Sequence, residues 1–568
     1  MSARERVEAA YRSIRTVDRP EVWISLREES DVLVEADRID EVVGNGTCLP
    51  LAGLAVAVKD NIDVAGMPTT AGAPSYAYSP AVDATAVSRL RAAGAIVIGK
   101  TNLDQFATGL VGVRSPYGAV RNAVDPSRIS GGSSSGSAVA VALGLVDLAL
   151  GTDTAGSGRV PAALNGVWGF KPTRGRVPAT GVVPACRTLD CVTVFAREPQ
   201  LGQLAVDLMA GPDGIDPLSG LLGIPSPARR IHRVLVPPAD EYSDLAPGWS
   251  DAFRAVVLEL ESNGVEILER SIAPLLAAAS LLYGGAFVAE RYSAVGKHIA
   301  DHQPLIGTDL DESVARIILS GANPTASELF DDMERLDHLR LEAAGLLADA
   351  DAILTPTTTW HPTIAQVQAD PIATNSRMGR FTNYANLMDL ASLAVPAGTV
   401  NGLPFGVMLT GPAFSDDALT DLARLVGATE IDIALFGAHM SGEPLNHQVT
   451  GLGGRLRGSV RTSASYRLYA LGTDPSKPGL VRVGAGNPGC QIEGELWSLP
   501  AEGLGRFLAA LPRPMTLGKV QMDSGQHVTG FLVEPEALEK AADISSFGSW
   551  TNWKRARAAD TREDAIPL

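Results

Sequence analysis

Residues 129–161 read ISGGSSSGSAVAVALGLVDLALGTDTAGSGRVP. A glycine- and serine-rich run is followed by nine largely apolar residues, 138–146, and then by a second turn of small residues, GTDTAGSGR. A Gly/Ser run is more often a flexible linker than a functional loop. Here it leads straight into a segment that must be buried, and such turns commonly hold a functional group or an anion. The segment therefore predicts a site.

Short apolar runs before this segment predict a βαβ unit. Residues 54–58 (LAVAV) and 95–98 (AIVI) are typical of strands buried on both faces. Residues 84–93 between them have helical spacing and end at Gly94. This order favours an α/β fold with a mainly parallel mixed sheet flanked by helices. Further helices are predicted at 249–260, 273–292 and 327–348, and further strands at 352–355 and 405–409.

A serine nucleophile in this segment would need a base to take its proton. None of the eight histidines lies in or near the segment, and the chain has no GxSxG elbow. A buried lysine can serve, because burial disfavours the charged amine and lowers its pKa. Lys59 directly follows the strand LAVAV, where an α/β sheet places its working groups. Lys100 also stands at a strand end and remains a rival base.

The length of 568 residues predicts at least two domains. One large α/β domain is expected over residues 1–430. After residue 431 the sequence pattern changes to short strand-like segments separated by turns that contain Gly and Pro. These segments lie at 458–462, 465–470, 479–483 and 494–499. We therefore expect a second, small domain over residues 435–568.

Charge and cysteine content exclude several classes of protein. A formal net charge of −17 argues against nucleic acid as a partner. Four scattered cysteines without a CxxC pair fit neither a disulfide framework nor a zinc site. The charged N-terminus is unlike a secretory signal, and residues 138–146 are far too few to span a membrane. We expect a soluble cytoplasmic protein that forms a homo-oligomer, a dimer.

Several ordered motifs resemble the amidase-signature family. The resemblance is strong over residues 50–200 and weaker over 350–412. It is carried by GGSSSGS at 131–137, GTDTAGSGRVP at 151–161, VKDN at 58–61, GKTNLD at 99–104, GFKPT at 169–173 and GLPFG at 402–406.

The resemblance implies a role for each matching residue. Ser157 looks like the nucleophile, Lys59 like the base, and Ser133 like the bridging serine, whose peptide bond is cis in this family. Ser133 and Ser157 stand 24 positions apart, which is the family spacing and favours Ser133 over Ser134 and Ser135. The backbone N–H groups of Thr154, Ala155, Gly156 and Ser157 would form the oxyanion hole. One departure is Gly158, where the family usually has an aliphatic residue. Asp153 and Arg159 are expected to form a structural salt bridge.

Two further features resemble allophanate hydrolases within that family. The tail LFGAHMSGEPLNHQ at 435–448 looks like the start of their extra C-terminal domain, a small α+β domain resembling gamma-glutamylcyclotransferase-like folds. Tyr283 and Arg291, eight positions apart in YGGAFVAER, resemble their substrate-gripping pair. On one helix the two side chains would lie within about 80° of each other. Spacing alone would favour Tyr283 in the core and Arg291 in solvent.

The resemblance implies allophanate as the small-molecule substrate, and a role after urea carboxylation or s-triazine ring breakdown. No metal or organic cofactor is expected. His439 and His447 would either help the first product lose carbon dioxide or only satisfy backbone groups in turns. A third possibility is that the C-terminal domain serves mainly in the assembly of an oligomer. The alternatives are a general small-amide amidase or an amidotransferase-type amidase subunit of the same fold, and a catalytically silent scaffold.

Overall fold

The computed structural model describes residues 2–220, 231–426, 430–473, 476–484, 486–539 and 541–563. The chain divides into two compact units, Met1–Gly427 and Ala428–Leu568. The expected boundary near residue 430 adjoins residues 427–429, which lie outside the described residues.

The first unit is built on an 11-stranded sheet. Its strands in chain order are β1 (Trp23–Leu26), β2 (Ala55–Lys59), β3 (Ile96–Thr101), β4 (Leu148–Asp153), β5 (Trp168–Lys171), β6 (Cys191–Ala196), β7 (Arg233–Val236), β8 (Glu266–Glu269), β9 (Ala352–Pro356), β10 (Ala391–Val400) and β11 (Leu403–Gly411). They are arranged across the sheet as β1-β3-β2-β4-β6-β5-β10-β11-β9-β7-β8.

Helices cover this sheet. In chain order they are α1 (Ala3–Val17), α2 (Glu29–Gly44), α3 (Thr85–Ala92), α4 (Ser135–Ala142), α5 (Val160–Asn165), α6 (Pro199–Met209), α7 (Pro217–Gly220), α8 (Trp249–Ser262), α9 (Ala273–Gly284), α10 (Ala289–Asp301), α11 (Glu312–Ser320), α12 (Ala326–Ala348), α13 (Ile364–Ala369), α14 (Pro371–Met378), α15 (Tyr384–Leu387) and α16 (Asp416–Ala423).

The predicted βαβ unit is confirmed, with β2 and β3 parallel and α3 between them. Both faces of β2 are buried, as the apolar run LAVAV indicated. Val56 and Val58 pack into one hydrophobic core, while Ala55 and Ala57 pack into a second core. The strand therefore runs through the middle of the molecule, and its last residue, Lys59, is enclosed.

The sheet is mixed, as expected, but "mainly parallel" is wrong. Within the described residues, six of its neighbouring strand pairs are antiparallel and four are parallel. One cause is the hairpin of β10 and β11, which turns at Asn401 and Gly402 with φ values of 52° and 78°. An Asn-Gly turn with two positive φ angles matches the twist of antiparallel strands and forces that pairing.

The single helix predicted over residues 273–292 is also wrong. α9 ends at Gly284, and α10 starts at Ala289 after a short 3₁₀ turn. At the break the Ala286 N–H donates to the Asp332 carboxylate, 2.6 Å away, and a Cβ on Gly285 would lie 2.5 Å from the same oxygen. The carboxylate of α12 thus takes the place of the next helical hydrogen bond.

The second unit is α+β. Its strands are β12 (Glu430–Leu435), β13 (Arg455–Arg461), β14 (Tyr466–Ala470), β15 (Pro478–Arg482), β16 (Glu493–Pro500), β17 (Met515–Gln521), β18 (His527–Val533) and β19 (Ala542–Asp543), and its helices are α17 (Asn446–Thr450), α18 (Ala501–Ala509) and α19 (Trp550–Glu563). The strands form a five-stranded sheet, β13-β16-β12-β18-β17, and a three-stranded sheet, β15-β14-β19. Its own apolar core includes Tyr466, Trp497 and Trp550. The likeness to gamma-glutamylcyclotransferase-like folds stays a prediction.

Within the described residues, no single helix has the length and apolar character needed to cross a membrane. One pair of consecutive helical segments, Ala273–Gly284 and Ala286–Asp301, would be long and apolar enough together, but the pair is bent at Gly285.

Candidate active site

The structure brings Lys59 and Ser133 into direct contact. β2 and β4 are parallel neighbours, so their carboxyl ends meet at one edge of the sheet. There the Lys59 amine lies 2.8 Å from Ser133 Oγ and 2.8 Å from Thr152 Oγ1. All three residues are buried. The Gly132–Ser133 peptide bond is cis.

Burial governs the charge of Lys59. It lowers the pKa of the amine from 10.5 to about 7, although the nearby carboxylates of Asp104, Asp153 and Asp190 act to raise it. A large share of the amine is then neutral near pH 7. A neutral amine can accept a proton from the Ser133 hydroxyl, which is what a base for serine chemistry must do.

The neighbouring serines and the rival lysine have other partners. Ser134 Oγ donates to the Thr152 carbonyl at 3.0 Å, and Ser135 Oγ donates to the Asn102 carbonyl at 3.3 Å. Lys100 forms a buried ion pair with Asp60 at 3.0 Å. Lys59 and Ser133 are thus the pair that meets at this edge of the sheet.

The turn after β4 carries Ser157 and is held by one ion pair. Arg159 Nη2 lies 2.8 Å from Asp153 Oδ1, the salt bridge expected from the sequence, and both groups are fully buried. The same carboxylate accepts the backbone N–H groups of Gly156 and Gly158, each at 2.9 Å. Ser157 lies between these two anchored residues and is 2% exposed.

The expected oxyanion hole needs a correction at Gly156. Its N–H is directed to the Asp153 carboxylate, so it is already occupied. Glycine is needed at position 156 because of the backbone conformation and the close packing there. Its φ is +138°, and a Cβ there would collide with Thr382. The N–H groups of Thr154, Ala155 and Ser157 stay as the predicted donors.

A second buried carboxylate holds the start of the same turn. Asp190 accepts the Thr154 hydroxyl at 2.5 Å and the Ala185 N–H at 2.9 Å. Burial raises the pKa of Asp190 to about 6. Gly158 packs against Thr193, to which an added Cβ would come within 2.7 Å. This contact explains why glycine follows Ser157 in this chain.

Tyr283 and Arg291 also meet, although they lie on two helices rather than one. Arg291 Nη2 donates to the Tyr283 hydroxyl at 3.0 Å, and its guanidinium carbon lies 5.0 Å from the centre of the Tyr283 ring. Nη1 donates to Thr108 Oγ1 at 2.9 Å. Arg291 is only 1% exposed, so the alternative of a solvated arginine is excluded.

Two family models match the chain. The Amidase model matches residues 5–420, and the model of the allophanate hydrolase C-terminal domain matches residues 431–555. The chain belongs to the amidase family.

Curated relatives of this amidase include the urea amidolyases of Lachancea kluyveri and Saccharomyces cerevisiae. They are 39% and 38% identical over 94% and 93% of this chain. The chain spans only 31% of the length of either relative. A glutamyl-tRNA(Gln) amidotransferase subunit from Thermus thermophilus is 35% identical over 70% of this chain and 87% of its own length.

A solved structure of the Kluyveromyces lactis allophanate hydrolase is 37% identical, with a TM-score of 0.69 over 98% of this amidase and 97% of that chain. The K. lactis urea amidolyase structure gives the same TM-score and identity, and there the match covers 36% of the longer chain. The amidase-signature fold and the identification from the motifs are therefore confirmed.

The sequence missed two residues of the amidase site. Thr152 lies inside the GTDTAGSGR block, and its place at the end of β4, beside the end of β2, was the signal that could have found it. Thr108 carries no such signal, because its contact with Arg291 joins positions far apart in sequence. Neither residue belongs to the three that the motif match singled out.

His439 and His447 lie in the second unit of the amidase. His439 is buried and its ring stacks on Phe531, with ring centres 5.0 Å apart. It lies 3.1 Å from the Gln448 side-chain oxygen, and burial lowers its pKa. His447 is exposed, and its Nδ1 lies 2.9 Å from the Pro444 carbonyl. That contact is the turn-satisfying role considered for both.

The pKa of Lys59 predicts the pH dependence of the amidase. We expect the neutral amine to be the active form, so kcat/KM should fall as pH drops through about 7 and level off above it. Initial rates of ammonia release between pH 5 and 9 measure this. In Lys59→Ala the fall of kcat/KM at low pH should vanish together with nearly all activity. Full activity in that variant would show that another group is the base.

Proposed function

We propose that this amidase is an allophanate hydrolase, which cleaves the terminal amide of allophanate. The observation that carries the proposal is the buried Arg291 guanidinium. Its two partners, Tyr283 and Thr108, offer neutral hydroxyl oxygens, and its Nε has no hydrogen-bond partner among the described residues. A buried cation with such neighbours calls for an anion. Allophanate is a small amide with a carboxylate, which an arginine fork can pair.

Arg291 lies in the same electrostatic neighbourhood as the candidate catalytic residues. The Asp190 carboxylate acts to raise the pKa of both Arg291 and Lys59, and it holds Thr154 at the start of the turn that carries Ser157. This shared carboxylate supports assigning Arg291 and the candidate catalytic residues to one site. The urea amidolyase and allophanate hydrolase relatives support the same substrate.

In the proposed reaction, neutral Lys59 takes a proton through Ser133 from Ser157. Ser157 attacks the terminal amide carbonyl, and ammonia leaves after receiving a proton by the same route. The N–H groups of Thr154, Ala155 and Ser157 stabilise the negative oxygen. Water then attacks the acyl-enzyme and releases N-carboxycarbamate. This product loses carbon dioxide, and the remaining carbamate breaks down to ammonia and carbon dioxide.

We also propose that residues 435–568 form a separate domain that is not needed for amide cleavage. Lys59, Ser133 and Ser157 all precede it, and each unit has its own apolar core. A role in processing N-carboxycarbamate fits His439 better than His447. His439 is buried and its ring stacks on Phe531, whereas His447 is exposed. The proposal also places the protein in the cytoplasm, as a dimer. All four cysteines are free thiols, which fits a reducing compartment.

Ammonia release from allophanate tests this function, measured for the full chain and for a chain that ends at Gly427. Both should release ammonia, and accumulation of N-carboxycarbamate by the shorter chain alone would support the processing role. If the full chain hydrolyses malonamide but not allophanate, it is a general small-amide amidase, the alternative given above. A folded short chain without activity would contradict the independent amidase unit.

A further inference from the structure

The loop formed by residues 104–114 supplies the contact that orients Arg291. Thr108, at its centre, is fully buried. Its hydroxyl donates its proton to the Phe106 carbonyl at 3.2 Å and accepts from Arg291 Nη1 at 2.9 Å. With its only proton used by Phe106, the hydroxyl presents a lone pair to the guanidinium. The direction of this contact is therefore set.

The backbone of the loop is strained around Thr108. Phe106 and Ala107 have φ values of 49° and 52°, in the left-handed region that non-glycine residues rarely adopt. The Phe106 N–H donates to the carbonyl of Ala71, whose φ of 51° lies in the same region. Such strain persists only where the surroundings hold it, and it concentrates at functional sites.

Both ends of the loop are held in place. The Asp104 carboxylate accepts the N–H groups of Gly112 and Arg114, at 3.0 and 2.9 Å. The buried Arg114 side chain donates to the Thr108 carbonyl at 3.1 Å and to the Pro371 carbonyl at 2.7 Å. Thr108 therefore cannot move without breaking a buried network.

The contacts of Arg291 leave part of its hydrogen-bonding capacity unused. Thr108 takes an N–H of Nη1, and Tyr283 takes an N–H of Nη2. Nε is buried and has no partner among the described residues. A carboxylate pairs best with two parallel N–H groups of an arginine. Each Nη carries two N–H groups, so Nε and the second N–H of the neighbouring Nη can supply such a pair.

We propose that Thr108 is a positioning residue for substrate specificity, which aims Arg291 so that the Nε edge of the guanidinium receives the substrate carboxylate. The proposal rests on the proposed function, because it assumes an anionic amide. It assigns to the 104–114 loop the choice between anionic and neutral amides. Thr108 touches Arg291 and need not touch the substrate.

The test compares Thr108→Val, which removes the hydroxyl at nearly constant shape, with Thr108→Ser, which keeps it. Each is assayed on malonamate, in which a methylene replaces the bridging N–H of allophanate, and on malonamide, its neutral counterpart. In Thr108→Val, KM for malonamate should rise about 10- to 100-fold relative to KM for malonamide, since a hydrogen bond to a charged group is lost. Thr108→Ser should stay within about 3-fold of wild type.

Equal losses on both substrates in Thr108→Val, or no loss, would overturn the positioning role. If the valine variant does not fold, Thr108→Ala removes the same hydroxyl and takes its place. Failure of the proposed function is a different result, in which the wild type cleaves neither allophanate nor malonamate. The Thr108 proposal is then decided by calorimetric binding of malonate to the wild type and both variants, and equal affinities would refute it.

Discussion

The Ser157→Ala variant is expected to retain less than about a thousandth of the wild-type kcat for ammonia release from allophanate. Removal of the hydroxyl leaves no group at the centre of the 154–158 turn that can form the acyl-enzyme. The turn itself should persist, since it is held by the Asp153–Arg159 ion pair and by the Gly156 and Gly158 N–H groups. Steady-state ammonia assays measure the loss.

A matched control is Ser219→Ala. Ser219 is also 2% exposed, and its hydroxyl donates to the Asp216 carbonyl at 2.8 Å in α7, away from the proposed catalytic residues. It should keep wild-type kcat, and both variants should unfold near the wild-type temperature. Activity of Ser157→Ala above the stated limit would show that Ser157 is not the nucleophile.

Loss of Arg291 is expected to have a large effect that depends on the substrate. Arg291→Ala should cost about 2–4 kcal/mol in kcat/KM against allophanate, because it would remove the proposed charge-assisted pair with the substrate carboxylate. Against malonamide or biuret, which carry no carboxylate, the cost should be far smaller. The ratio of kcat/KM values on the anionic and neutral amides is the quantity to compare between variant and wild type.

Arg291→Lys separates charge from shape. Lysine keeps the positive charge but has no planar fork, so it should recover only part of the activity on allophanate. A general loss of similar size on anionic and neutral substrates would mean that Arg291 supports the fold rather than selects the carboxylate.

The parts of the fold that follow from local sequence were predictable. The apolar run before Lys59 and the helix after it made a βαβ unit, and α8 and α12 agree with their predicted spans to within two residues. The two wrong predictions, a mainly parallel sheet and a single helix over residues 273–292, have specific causes that the spacing of apolar residues does not reveal. The Asn401–Gly402 turn sets an antiparallel hairpin, and Asp332 of a distant helix ends the pattern at Gly285. Apolar spacing alone continues through such a break.

The candidate site also contains residues that the sequence could predict and residues that it could not. Lys59, Ser133 and Ser157 stand in contiguous motifs, each at a strand end or in a small-residue turn, so the chain order reveals them. The Gly156 N–H was assigned wrongly because its partner, Asp153, competes for it within the same turn. Thr108 was missed because its partners, Arg291 and Arg114, reach it through tertiary packing.

The hydrogen bond from the Asp104 N–H to the Ser133 carbonyl, 3.1 Å long, has a consequence for substrate length. The loop that begins at Asp104 also holds Thr108, and through it Arg291. Under the proposed function, one short piece of backbone would therefore set the distance between the group that binds the carboxylate and the serine that attacks the amide. A homologous amide longer by one methylene would place its carbonyl about 1 Å from the attacking position, a misplacement that can cost about 100-fold in rate. Under the proposed function, this enzyme would select its substrate by length as well as by charge.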